Sequence, residues 1–150
     1  MKLLVMSSLI DRLLKRKPVA DEKIRYIEQW LDYDCGQTCL DMLGYDGHNM
    51  FPGRALEREE LISIEGVKED YEIVLSETTH FEEPYIFSVR SVVDPSQYHF
   101  ILVHGNKVYC PSLGVFKIKK YLRNIWSPRS AFQVPFAEDM KHTEQFSLNK

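Results

Sequence analysis

The 150-residue chain carries 19 Lys and Arg against 22 Asp and Glu, a formal charge of -3, with an ordinary apolar fraction and a generous aromatic content. That length fits one domain, residues 1–150, able to bury a substantial core, and so small a charge excludes a generic nucleic-acid binder and a disordered acidic tail. Three cysteines are too few and too irregularly spaced for a disulfide scaffold, and an odd count leaves a free thiol, which points to a reducing, cytoplasmic compartment.

The charges are unevenly spread. Acidic residues dominate from Glu57 to Glu83, whereas Lys117, Lys119, Lys120, Arg123 and Arg129 form a basic segment. Two solvated faces are the plainer reading, and an acidic rim facing a cationic partner the sharper one.

At the N-terminus, Leu3, Met6, Ile10, Leu13 and Leu14 recur at helical spacing and predict an amphipathic helix over residues 1–18, ended by Lys15, Arg16, Lys17 and Pro18. It is too charged and too short for a membrane span and lacks the cleavage site of a signal sequence. Its apolar stripe is expected to pack on the body, a second subunit or another partner, with membrane-surface binding as the alternative.

Asp21 to Leu31 is weakly helical, with Ile24, Ile27, Trp30 and Leu31 in phase. Gln37 to Leu43 is a better helix, buried through Cys39, Leu40, Met42 and Leu43 and stopped by Gly44. A further helix is predicted over Ala55 to Ile64, ahead of Gly66. Tyr71 to His80 reads equally as strand or loop. From Tyr85 the period shortens: YIFSVRSVV, HFILVHG, KVYCPS and VFKI, separated by turn residues, predict an antiparallel meander of three or four strands. Residues 137–150 are expected to be a flexible tail. Helices first and strands second define an α+β class, with a nucleophile-bearing helix packed on the sheet that carries His99.

Cys35 stands before or at the first turn of its helix, where unpaired N–H groups and the positive dipole end favour a thiolate. Gly36 beside it is expected to let a substrate backbone approach. Such a nucleophile needs an imidazole and oxyanion donors. His99, opening an apolar strand at a sheet end, is the best placed of the five histidines; His48, His80, His104 and His142 fall in loops, a turn or the tail. A zinc site from Cys35, Cys39, His99 and Cys110 fits poorly, because structural zinc ligands come in tight pairs and Cys39 lies in the apolar stripe. No metal or other cofactor is expected.

Gln29, Asp34-Cys35-Gly36, Cys39-Leu40, Met42, Tyr45 and Gly47 together resemble the N-terminal motif of the papain-like bacteriocin-processing peptidases. These are cysteine peptidase domains that clip double-glycine leader peptides, and similar small stand-alone domains occur in bacterial and phage genomes. His99-Phe100-Ile101-Leu102-Val103, a turn, Val108-Tyr109-Cys110-Pro111-Ser112 and Gly114 look like the family's histidine strand and the strand after it. The two blocks cover about a third of the chain.

The resemblance implies a papain-like fold in which Cys35 is the nucleophile, His99 the general base and acid, and Gln29 the oxyanion donor, acting on a protein or peptide substrate. The sequence departs from the family where an aspartate orients the imidazole: Cys110 stands there, a weak hydrogen-bond partner, and Asn106 and Asp94 are the substitutes within reach in sequence. Two functions remain open: a cysteine peptidase or related thiol acyl hydrolase, and a catalytically weakened papain-like domain that binds or blocks a protein partner. The substrate groove is expected in the unmatched region from Gly53 to Tyr85.

Overall fold

The computed structural model describes residues 23–73, 75–76, 79–90, 96–122 and 130–140. The expected N-terminal helix and Asp94 lie outside them. The chain is α+β. Helices α1 (Cys35–Met42), α2 (Gly47–Met50) and α3 (Arg58–Ile62) come first, then strands β1 (Lys68–Glu69), β2 (Phe81–Arg90), β3 (Tyr98–Gly105), β4 (Lys107–Cys110) and β5 (Gly114–Lys117), helix α4 (Ile118–Leu122) and strand β6 (Ser130–Gln133). All strand pairs are antiparallel, in the order β1-β6-β2-β3-β4-β5.

The meander β2-β3-β4-β5 matches the four β-rich runs of the sequence. Two further strands were not legible there. β6 comes from SAFQ, too short to show alternation, and it inserts beside β2; the two-residue β1 then pairs with β6. With neighbours on both sides, β2 is buried on both faces from Tyr85 to Val89, as a central strand requires. Pro84, which has no N–H to give to a ladder, sits where the β2-β3 register shifts, and its carbonyl accepts the Val134 N–H at 3.0 Å.

Register aligns the core in two layers. Ile86 lies opposite Leu102 on one side and Phe132 on the other, and this row joins Leu40, Leu43 and Leu61 beneath the helices. Phe87, flanked by Ile101 and Ala131, faces the second layer with Val103, Val108, Ile118 and Tyr121. The sheet is therefore covered on both faces, by α1 and α3 on one and by α4 on the other.

Helix α1 starts two residues earlier than its periodicity suggests and buries seven of its eight residues. It ends as expected at Gly44, whose φ of 93° lies in the left-handed region. Helix α3 is shorter than expected because Glu57 and Glu60 close a capping box that fixes its start at Arg58. The weak helical pattern of Asp21 to Leu31 is not realised over the described residues: 23–29 form no helix or strand, and Tyr26 Oη donates to the Cys110 carbonyl at 2.8 Å. Of the expected tail, residues 137–140 pack on the body, with Ala137 buried and its N–H donating to Leu43 O at 3.0 Å; residues 141–150 lie outside the described residues.

Gly36 has a packing role, not the substrate-facing one expected of it. A Cβ there would lie 2.7 Å from Leu56 Cβ and 3.0 Å from a Phe100 ring carbon. Gly36→Ala is expected to destabilise the fold by about 1–3 kcal/mol through overpacking, read as a lower midpoint in urea unfolding with an unchanged slope.

Candidate active site

The site is built where the N-terminal end of α1 meets the start of β3. Asp34 is 1 % exposed and prepares this junction with both its carboxylate and its carbonyl. Its carboxylate accepts the Trp30 N–H at 3.2 Å and the Leu31 N–H at 3.0 Å, folding the 30–34 loop back on itself. Its carbonyl accepts both the Thr38 N–H at 2.9 Å and the Thr38 hydroxyl at 2.8 Å, which starts the helix.

His48, on α2, reaches across this junction. Its Nε2 lies 2.9 Å from Asp34 Oδ2, and its Nδ1 hydrogen-bonds Asp41 Oδ2. Buried Gln37 donates to the carbonyls of Phe51 at 2.9 Å and Arg54 at 2.6 Å, holding the following loop against α1. Neither residue was singled out from the sequence. The signal for His48 was its placement just past the Gly44 stop of the helix that carries Asp41.

Cys35 is 8 % exposed, and its Sγ accepts the Phe100 N–H at 3.4 Å. Cys35 and His99 both line a cleft of about 910 Å³. Ala55, Leu56, Glu57, Arg58 and Glu59, from the region expected to hold a groove, also line it. Cys35 and His99 are not joined by a hydrogen bond; in unliganded sites such contacts are often long and tighten on substrate binding.

The other side of the ring is occupied. His99 Nε2 lies 3.4 Å from Cys110 Sγ and 3.4 Å from Ser112 Oγ, and those two atoms are 3.5 Å apart. The hairpin register explains this. His104 pairs with Lys107 and Val103 with Val108, so continued outward the ladder sets Ser112 opposite His99, with Cys110 diagonal on the same face. Ser112 was not a candidate in the sequence, although counting back from the Gly105-Asn106 turn would have found it. Asn106 stays at that turn, where its carbonyl accepts the Ile118 N–H.

Gln29 lies beside the site and does not line the cleft. Its side-chain amide donates to Leu31 O at 2.7 Å, its backbone N–H donates to Pro111 O at 3.0 Å, and its Oε1 is buried without a partner. One amide N–H remains available to it. Cys39, on α1, is fully buried in the core layer with Ile86 and Leu102.

The electrostatics of the pair are those of two neutral groups. Burial pushes the Cys35 thiol up, and the Phe100 and Gly36 N–H groups only partly offset this. The expected thiolate at the helix start is thus outweighed by desolvation. Burial also lowers His99 to about 4. Among the described residues, no group of three or more His, Cys, Asp or Glu is arranged to hold a metal ion, and no helix is long and apolar enough to cross a membrane.

No family model matches the chain, and no curated protein matches it.

The Asp34-His48-Asp41 junction gives a pH signature. Burial works against a charged His48, but its bonds to Asp34 and Asp41 prevail and raise it above its ordinary 6.5. Burial likewise opposes the Asp34 carboxylate, but His48 and the Leu31 and Trp30 N–H groups lower it below its ordinary 3.8. The raised histidine stabilises the fold below its unfolded value and loses that effect as pH rises through its folded one; the depressed aspartate loses its effect as pH falls through its own. His48→Ala is expected to destabilise by on the order of 1 kcal/mol near pH 5, and the difference from the parent should shrink steadily above pH 7 in urea titrations.

Proposed function

We propose that the chain is a papain-like cysteine peptidase, or a closely related thiol acyl hydrolase, of the bacteriocin-processing type named above. The observation that carries this reading is that Cys35 and His99, far apart in sequence, line one cleft, with Cys110 Sγ 3.4 Å from His99 Nε2. The protein or peptide substrate lies between Cys35 and the 55–59 wall. A reducing cytoplasm keeps Cys35, Cys39 and Cys110 as the free thiols they are here.

Mechanism follows from the neutral state of the pair. Unprotonated His99 takes the Cys35 proton as the sulfur attacks the substrate carbonyl, so the thiolate forms during attack and not beforehand. The developing oxyanion is met by the N–H groups at the start of α1; Gln29 joins them once its amide turns from Leu31 O toward the cleft. The imidazolium then protonates the leaving amine, the acyl group stays on Cys35, and water activated by His99 releases it.

A second reading, a papain-like domain that binds or blocks a protein partner, is favoured by one observation. Trp30 is 91 % exposed, and Leu31 and Tyr33 beside it are partly exposed. A loop so firmly tied by Asp34 presents these side chains at little entropic cost to binding.

Hydrolysis of a casein-derived peptide mixture separates the readings. Cys35→Ala and His99→Ala should each lower turnover by about 10³-fold or more; hydrolysis unchanged in Cys35→Ala would sink the enzyme reading. Because only the unprotonated ring is a base, kcat/KM should fall as pH drops through about 4. Cys110→Asp, by placing a carboxylate against Nε2, should raise turnover and move that acid limb to higher pH. An acid limb that stays in place would mean that position 110 does not govern the ring.

A further inference from the structure

We infer that Ser112 is the positioning residue for His99, the acceptor that selects which ring nitrogen carries the proton. This inference rests on the thiol hydrolase reading. A neutral imidazole has one N–H and one lone pair, and only the nitrogen with the lone pair can take a proton from Cys35. Nε2 faces Cys110 and Ser112, so on the hydrolase reading Nδ1 is the nitrogen that must serve as base. Nε2 must then be the N–H, and it needs an acceptor.

Cys110 is poorly suited to that task. It is wholly buried, and its sulfur is a weak acceptor. The thiol hydrogen, meanwhile, has two outlets, Nε2 and the Ser112 oxygen. Directed at Nε2, it would force the proton onto Nδ1 and disable the base. Directed at Ser112 Oγ, it leaves Nε2 free to donate.

Ser112 can accept from both. Its hydroxyl is at the exposed tip of the turn between β4 and β5, so its own hydrogen turns to solvent while its oxygen faces inward. The 3.4 Å separation from Nε2 is long for an N–H···O bond, and a small rotation of the ring or of the serine shortens it. The turn itself is fixed: Leu113 N–H donates to Cys110 O at 3.1 Å, and Tyr26 Oη binds the carbonyls of Cys110 and Pro111. Ser112 and Cys110 together thus do by tautomer selection part of what a carboxylate does by charge.

The test is nitrogen-15 NMR of histidine-labelled protein near pH 7, with the His99 signals assigned by their loss in His99→Gln, alongside peptide hydrolysis. In the parent chain the ring should carry its proton on Nε2. Ser112→Ala should move the ring toward the Nδ1–H form and lower kcat about tenfold or more, with KM within about twofold. Ser112→Thr, which keeps the hydroxyl, should restore both. Ring shifts unchanged in Ser112→Ala overturn the inference, as does a parent ring already protonated on Nδ1. If the ring responds as expected but the parent chain hydrolyses nothing, Ser112 keeps its positioning role and the hydrolase reading falls. Hydrolysis that requires Cys35 beside a ring indifferent to Ser112 gives the reverse.

Discussion

The buried carboxylate of Asp34 is the point on which the local architecture turns. Isolated in a protein interior, such a charge would be strongly disfavoured. Here it is surrounded by the Trp30 and Leu31 N–H groups and by His48, so each donor both offsets its desolvation and is itself fixed in direction. Because the same residue supplies the carbonyl that opens α1, loop, helix and the short α2 are set in one arrangement. The placement of Cys35 against β3 is a consequence of that arrangement.

Fixing Cys35 in this way also encloses it. Cys35 is buried, and burial prevails over the helix start in setting its proton affinity. The ring of His99 is enclosed too, with neutral neighbours. Sites of the same residue types can rest as an ion pair or as a neutral pair, and the difference is made by whether a charge stands behind the imidazole. Here sulfur and hydroxyl stand beside the imidazole instead of a carboxylate, and burial raises the thiol and lowers the ring.

How much of this the sequence discloses depends on the range of the interaction involved. Helix α1 and strands β2 to β5 were legible because their apolar period and their turn residues are local signals. The residues of the cleft were legible as types in a familiar order, Cys35 and His99 above all. What was not legible is what depends on tertiary neighbours: β6, whose four residues become a strand only by pairing with β2; residues 23–29, drawn out of their weak helical pattern by the hold of Tyr26 on the β4-β5 turn; and His48, which matters only because α2 folds over Asp34. Ser112 is an intermediate case. Its place opposite His99 follows from the hairpin register, but a serine in a turn carries no chemical signal of its own in the sequence.

The position of β6 has a bearing on how the chain acquires its structure. It lies between β2 and β1, so β2 gains its second neighbour only when residues more than forty positions later have arrived. Until Phe132 is in place, Ile86 lacks one flank of its row, and Phe132 itself lines the cleft beside His99. Pairings of such wide separation are slow to close. During synthesis, the helices and the hairpin of His99 can form early, but the floor beneath the candidate nucleophile is laid last, and a chain stalled before Ser130 would hold Cys35 and His99 over an unfinished sheet.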